Sequence, residues 1–550
     1  MPKRSLKSRF ILLLIGLAAL YLFCNLKRDF WYPDEPDVAE ITREMLHSGE
    51  WIHLTLSGHT FSDYPHLLFW IAGICARVGG MNEFMLRLPS TVSALGILLL
   101  IWFWVRRAFD EQVALWSCAV LGTTYFFVSE ATHMHVDMMF SFFFTGSLLL
   151  FRSSQNSQTA FPNFLLALLA SLSMGLASLT KGPAGLLLPT GILGIDAMIQ
   201  KRWRELIPVV LISVGGVVVF LGWSVLYAHG VGKEDLFYFI FKQNIDRFLS
   251  GWSHRHPVYY YFINLWPDII PWSLFFIPAG YATWKEVQKG RRESIFLLIW
   301  FTVVFLFFTI SRSKRNVYIL PLYPAVAIMV GNWLKSMFER VKSPRSFSIP
   351  AIATAGLFFI VGVALIIFLS VADYRQKAPF PISYVPVIVA SVSFLVAAVW
   401  IFVALYRKRT LPVAMGLAVS AAAIYLVILG WFFPTLDNPL SGRDDAEWVR
   451  TYINVEQGEA IGIFAGANGV PNEATTLEYY GRSPIHVLAN REEIQEYLHK
   501  QPGDYVLVRS TDLEFFQRTI PATFFIRKEL TVGSDILYAV EIASFNENRQ

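Results

Sequence analysis

Asp34, in WYPDEPDVAE, and Asp137, in SEATHMHVDMMF, each stand beside a long apolar run. A carboxylate so placed could remove or orient a proton if it lies within hydrogen-bond reach of the reacting group. Ionisable groups at a membrane edge are costly to desolvate, so their presence points to a use. The plainer use is structural, because an acid at a helix start satisfies free backbone N–H groups. Two acids on separate loops, both flanked by aromatic residues, favour one shared site over two caps. SRSKRNVY (311–318) contributes Arg312, Lys314 and Arg315, and LASLTKGPAG contributes Lys181. Ammonium and guanidinium groups match a phosphate, although such side chains also reach for lipid headgroups. FKQNIDRFLSGWSHRHPVYYYF (241–262) crowds Asn244, Arg247, His254 and His256 beside three tyrosines. Amides, cations and aromatic faces together suit a sugar. Asp63 and His254 could join as an oxygen-plus-imidazole pair for a divalent metal such as Zn, Mg or Mn.

Composition says which elements hold these residues. Of 550 residues, 55% are hydrophobic and 16% charged, against about 25% charged in soluble domains. With a mean hydropathy of +0.47, this is a polytopic membrane chain. The net charge of +5 sits in short loops between apolar runs, a pattern for membrane orientation rather than nucleic-acid binding. Cys24, Cys75 and Cys118 form no C-x-x-C pair, so neither a disulfide framework nor a thiolate metal site is expected. MPKRSLKSRF leads into ILLLIGLAALYLFC with no A-x-A-like site after it, which predicts a retained anchor helix.

Spans of roughly 20 apolar residues are expected to begin near residues 10, 88, 112, 137, 161, 183, 206, 269, 294, 319, 349, 384 and 411, about thirteen in all. HLLFWIAGICARVGG (66–80) is read as a juxtamembrane helix, because counting it as a span would turn most basic loops outward. With a cytoplasmic N-terminus, the loops at 25–87, 130–137, 229–268, 311–318 and 372–383, Lys181, and everything after 434 face outward. The acids and the unexplained cations then gather on one face. DEPDVAEITREMLHSGEW predicts an amphipathic helix in the interface, with Val38, Ile41 and Met45 at helical spacing and an end near Gly49. In 441–550, apolar stretches (461–466, 485–490, 505–510) alternate with REEIQEYLHK (491–500). That predicts a small α/β domain with a largely parallel sheet. It holds no G-x-G-x-x-G and no P-loop, so no nucleotide is expected. The expected fold class is an all-α polytopic membrane domain (1–440) followed by a soluble α/β domain (441–550).

The ordered set DEPDVAEITREMLHSGEWI (34–52), RLPS (87–90), HVDM (135–138), GLASLTKGPAG (175–185), NIDRF (244–248), HRHPVYYY (254–261), IPW (270–272) and SRSKRNVYILPLYP (311–324) resembles the GT-C membrane glycosyltransferases that use polyprenyl-phosphate sugars. It is similar to the bacterial 4-amino-4-deoxy-L-arabinose transferases acting on lipid A and to protein O-mannosyltransferases. The resemblance implies a bacterial inner-membrane enzyme with a periplasmic C-terminal domain. It implies an undecaprenyl (polyprenyl) phosphate sugar donor, a lipid A or other envelope acceptor, and direct inverting displacement. It casts Asp34 and Asp137 as catalytic carboxylates, and Lys181, Arg247, Arg312 and Lys314, with Tyr318, as the donor-phosphate site. Glu35, Tyr64, Asn244 and Tyr260 are expected to touch substrate, and His254, at the HxxP histidine, to bind a metal with Asp63. The aminoarabinose transferases usually carry an acid-lysine-proline triplet after the amphipathic helix. Here it reads Asp63, Tyr64, Pro65, so a phenol replaces a cation. The competing readings are a flippase for a lipid-linked saccharide, which would place ionisable groups near the bilayer midplane, and a scaffold that binds envelope glycans without turnover.

Overall fold

The computed structural model describes residues 5–31, 33–155, 160–251, 253–340, 343–371, 383–437, 441–452, 460–465, 474–500, 505–520, 522–532 and 535–545. The first four residues and nearly all of the expected loop at 372–383 lie outside that set. α1 (Leu6–Asn25) starts at Ser5, whose hydroxyl accepts the Ser8 N–H at 3.2 Å. α2 (Asp34–Ser48) and α3 (Leu67–Gly79) are too short to cross a bilayer, and between them lies a ladder of β1 (Thr55–Leu56) and β2 (His59–Thr60). α4 (Glu83–Ala108) is capped by the Asn82 side chain. α5 (Glu111–Gly122) and α6 (Tyr125–Ala131) form a pair bent by 70°. α7 (Val136–Gln155), α8 (Ala160–Lys181), α9 (Ala184–Ile199) and α10 (Leu206–Gly230) follow. Six more long helices run from Ser273–Gln288 to Thr410–Val427.

Among the described residues, ten helices are long and apolar enough to cross a membrane, or eleven if the bent pair is one span. This corrects the expected thirteen. The spans expected near 183 and 269 fall on α9 and Ser273–Gln288, each of 16 residues, short of the roughly 20 that a full crossing takes. Helices are the form these segments must take, since each bonds its own backbone where no water can. Ion pairs mark the two ends of the bundle. Asp137 of α7 meets Lys181 of α8 at one end, and Arg152 meets Asp196 at the other. Arg106, Arg107, Arg202 and the 407–409 run lie at the Arg152 end, away from Asp34.

The C-terminal domain is a five-stranded sheet in the order β4 (Ile485–Leu488), β3 (Ile461–Phe464), β5 (Tyr505–Arg509), β7 (Asp535–Phe545), β6 (Ala522–Val532). β3 pairs in parallel with β4 and β5, while β7 pairs antiparallel with β5 and β6. The sheet is therefore mixed rather than largely parallel. The β6–β7 pair makes the difference, because two residues between strands are too few for the crossover that parallel pairing needs. Side chains alternate across the sheet. Ile461, Ile463, Leu507 and Leu537 share a core with Val38, Ile41 and Met45 of α2. Phe464, Val506, Val508 and Val540 face Ile494 and Phe516 on the other side. α2 is thus held between α3 and the helix Ala474–Gly481 rather than floating in the interface as expected. Its buried residues include Glu35, Glu40 and Thr42.

Candidate active site

Asp34 is the first residue of α2, and no side chain caps that helix. The carboxylate is committed elsewhere. Both Nη atoms of Arg315 donate to it, and His135 Nε2 lies 3.7 Å from its Oδ2. An ion pair therefore replaces the cap reading. Burial acts to raise the Asp34 pKa, but His135 and Arg315 outweigh it and hold the carboxyl below its usual range. Asp34 is a charged but weakened base at neutral pH.

His135 Nδ1 lies 3.1 Å from Asp137 Oδ2 and 3.3 Å from Glu130 Oε2, so one imidazole stands between the two expected catalytic acids. Asp137 is buried in the first turn of α7 and pairs with Lys181 at the end of α8. The Lys181 ammonium lies 4.2 Å from the Tyr318 ring centroid, a cation–π contact. Gly182 ends α8 with φ of 75°, and a Cβ there would come within 2.9 Å of Asn244 Oδ1. Glycine lets the segment around Asn244 close over Lys181.

Two cavities meet at these charges. One, of about 600 Å³, is lined by Asp34, Asp37, Asp63, His254 and Arg315, with Ile485 and Val487 of β4 on the C-terminal domain side. The second, of about 570 Å³, has Tyr64, Lys181, Arg247 and Tyr318 among its polar lining and a wall of Leu187, Phe239, Phe248, Leu249 and Phe307. Asp63 lines both. Arg247 follows the π-helical stretch Tyr238–Asp246, a widened form that recurs at functional sites. In that stretch Asn244 Nδ2 donates to the Phe239 carbonyl at 2.7 Å, and Gln243 donates to Asp63.

Residues 311–315 pair with the 248–256 loop. The Arg312 N–H donates to Phe248 O at 3.1 Å, and the Lys314 N–H to His254 O at 2.9 Å. The approach is close enough that a Cβ on Gly251 would lie 2.6 Å from Arg312 Cβ. Arg255 and Ser313 form an isolated antiparallel bridge, and side chains alternate along extended backbone of this kind. Ser311 and Ser313 face the apolar cavity and Arg315 the Asp34 cavity. Arg312 and Lys314 face away, into a third. Arg312 is exposed there, whereas Lys314 is buried with its ammonium on the His256 and Ser311 carbonyls. The phosphate role expected of Arg312 and Lys314 is corrected on this ground. The cation that meets Asp34 is Arg315, from the same motif but with the opposite parity.

Glu35, expected at the substrate, is buried. It accepts Arg28 Nη2, Arg87 Nε at 2.7 Å and Nη2 at 2.8 Å, and the Met134 N–H at 3.0 Å. It lines neither cavity and serves as a clasp. Tyr260 also lines neither, and its ring stacks on His256 at 4.4 Å. Tyr64 and Asn244 do line the apolar cavity. Asp63 and His254 share the polar cavity, as a metal pair would require. Among the described residues, however, no third ligand joins them; the one such group is Glu40, Glu44 and Glu478. Burial and the Arg315 and Arg247 charges lower the His254 pKa, and the same two charges would repel a divalent ion. Two ligands flanked by two guanidinium groups do not make a donor set that fits a divalent metal.

Arg315 carries no role in the site that the resemblance implies, although it belongs to the basic 311–318 motif, and His135 carries none either. Arg315 was discoverable from strand parity once 311–315 is taken as extended. His135 had no distinguishing signal, since His133 in the same stretch goes to Arg28 at 2.8 Å and the Ser129 carbonyl at 2.7 Å. Burial opposes a charged His135, but Asp137, Glu130 and Asp34 outweigh it and raise its pKa. The charge is complete below the ordinary histidine value of about 6.5 and is lost as pH rises through the raised value. Any activity that uses this network is therefore expected to fall on the alkaline side, and His135→Gln to flatten that limb. An unchanged pH–rate profile in the variant would remove His135 from the network.

Residues 7–231 match the family described as dolichyl-phosphate-mannose-protein mannosyltransferase. An uncharacterised protein of Aquifex aeolicus is 32% identical over 339 residues, 61% of this chain and 66% of its own. The undecaprenyl phosphate-alpha-4-amino-4-deoxy-L-arabinose arabinosyl transferase 2 of Proteus mirabilis is 30% identical over 386 residues, 69% of this chain and 68% of that protein. The chain belongs to this family of membrane glycosyltransferases. The match spans about two thirds of the length of these two relatives. The transferase also shares its fold with the crystal structure of ArnT from Cupriavidus metallidurans bound to undecaprenyl phosphate. The TM-score is 0.77, over 98% of this chain and 100% of that one, at 21% identity. The transferase is thus a multi-pass membrane protein of the GT-C fold.

Proposed function

We propose that this transferase moves an aminoarabinose-type sugar from undecaprenyl phosphate to an anionic envelope acceptor, lipid A in our reading. One observation carries this. Lys181 and Arg247 line an apolar cavity that shares Asp63 with the polar cavity holding Asp34. A phosphate on Lys181 and Arg247 lets the isoprenoid tail lie along Leu187, Phe248 and Phe307, and directs the sugar towards Asp34. The bond from the anomeric carbon to the phosphate oxygen breaks, and its electron pair leaves with the phosphate. An acceptor oxygen forms the new bond from the opposite face. Preorganised cations stabilise the charge that develops on the leaving group. Asp34, weakened as a base, orients the acceptor; a phosphate acceptor is already ionised and needs no base. A hydroxyl acceptor, as in protein O-mannosylation, would ask more of Asp34 than Arg315 allows. The basic loops at the far end support a cytoplasmic N-terminus and a periplasmic site.

Purified full-length protein, given a labelled undecaprenyl-phosphate sugar and lipid A, should yield lipid A heavier by one pentose-like unit. Label that crosses vesicles without product would support the flippase instead. Lys181→Met is expected to weaken undecaprenyl phosphate binding by about 10–100-fold, the worth of one or two kcal/mol-scale charged hydrogen bonds. Lys314→Ala should leave that affinity unchanged. Equal losses in the two variants would contradict the assignment.

A further inference from the structure

The third cavity, of about 410 Å³, is lined by Arg255, His256, Arg312 and Lys314, with Pro257, Val258 and Ile310. Among the described residues, no carboxylate lines it. Among the described residues, neither Arg255 nor Arg312 has an acid within ion-pair distance. Three basic side chains and an imidazole therefore line one cavity with no acid among the described residues to neutralise them. Arg255, His256 and Arg312 are exposed, and Lys314 is spent on backbone carbonyls at the base. Like charges so grouped repel one another, and an anion between them relieves that repulsion.

The rim says which kind of anion. Ile310 is the last residue of the spanning helix Arg292–Ile310, and it is 70% exposed, as Val258 is 65%. Phe262 and Ile263, on the adjoining helix, are 55% and 60% exposed, and Phe262 rests edge-on against Phe305 of the spanning helix at 4.9 Å. Large apolar side chains left bare at the end of a spanning helix face lipid. The guanidinium groups beside them therefore stand at headgroup depth. A free phosphate would have no use for that apolar lip; a lipid phosphate would.

We propose that this cavity binds the phosphate of an anionic membrane lipid, with its headgroup on Arg255, Arg312 and His256 and its chains along Val258, Ile310 and Phe262. Planar guanidinium groups suit a phosphate by paired hydrogen bonds. The site is separate from the cavity at Lys181, because strand parity turns Arg312 away from it. The inference does not depend on the proposed sugar or acceptor.

The test is native mass spectrometry of the full-length protein in detergent, titrated with phosphatidylglycerol or phosphatidylcholine. Wild type should retain phosphatidylglycerol preferentially. Arg255→Ala/Arg312→Ala should weaken that retention by about 10²-fold, as expected for two lost charge-assisted bonds. Lys27→Ala/Lys233→Ala removes the same charge at the same end of the bundle, and retention should persist in it. Undecaprenyl phosphate affinity should be the same in all three proteins. Equal phosphatidylglycerol retention in the Arg255/Arg312 variant, or equal loss in the control pair, would overturn the site. Displacement of the lipid by millimolar inorganic phosphate would show a free-ion site and overturn the lipid assignment.

Discussion

Asp34→Asn should lower the transfer rate by about 10²–10³-fold, the usual effect of deleting one preorganised electrostatic group, while leaving the chain folded in the membrane. Asparagine keeps the shape of the side chain but removes the charge that Arg315 and His135 both face. Arg315→Ala should do similar damage from the other side, since Asp34 would lose the partner that fixes its direction. Arg315→Lys should rescue little, because an ammonium cannot make the paired contact of a guanidinium fork. Residues that act as a unit lose activity non-additively. The double variant Asp34→Asn/Arg315→Ala is therefore expected to be no slower than the worse single variant. The measurements are single-turnover rates with a fixed donor concentration, plus a thermal melt of each purified variant. Near-wild-type turnover in either single variant would dissociate the pair from catalysis. Multiplicative losses in the double variant would show that the two residues act separately.

Glu35→Gln should leave a different signature: a loss of stability rather than of chemistry, by about 3–5 kcal/mol, as for breaking a buried ion pair. Glu35 stands between Arg28 and Arg87, both buried. Arg87 also donates to the Arg28 and Asp29 carbonyls, and Glu35 accepts the Met134 N–H. One carboxylate thus ties together the end of α1, the start of α2, α4 and the loop before α7. Glutamine would leave two guanidinium groups buried against a neutral amide. Burial pushes the Glu35 pKa up, but Arg28 and Arg87 prevail and hold it far below the carboxylate range. A depressed carboxyl pKa contributes stability above the ordinary value, about 4.3 for glutamate, and loses it only as pH falls through the depressed one. The clasp should therefore persist through neutral and mildly acidic conditions. Glu35→Gln should melt well below Asp34→Asn, with the surviving folded fraction still binding undecaprenyl phosphate. Equal melting temperatures in the two variants would refute the clasp.

Asp34 and Glu35 mark where the reading of residue types stops. They are chemically alike and adjacent, yet one faces a cavity and the other is locked in the core. A helix sends neighbouring side chains about 100° apart, and what waits in each direction is set by other loops. Arg312 and Arg315 divide in the same way, by strand parity rather than by composition. Tyr64, Asn244, Lys181 and Arg247 line the apolar cavity, while Tyr260 turns to His256.

The sequence by itself determined the membrane class, the gathering of the polar motifs at one end of the bundle, the helical span of 34–48, and the three parallel strands of the C-terminal domain. Each of these rests on local periodicity or on composition, which a chain carries without folding. Tertiary structure alone decided which acid meets which cation, that His135 stands between Asp34 and Asp137, and that Arg312 and Lys314 line a separate cavity. Those outcomes depend on distances between segments far apart in the chain, and on which face each segment presents. Local alternation separates Arg312 from Arg315, but only the packing of distant segments decides what each one meets.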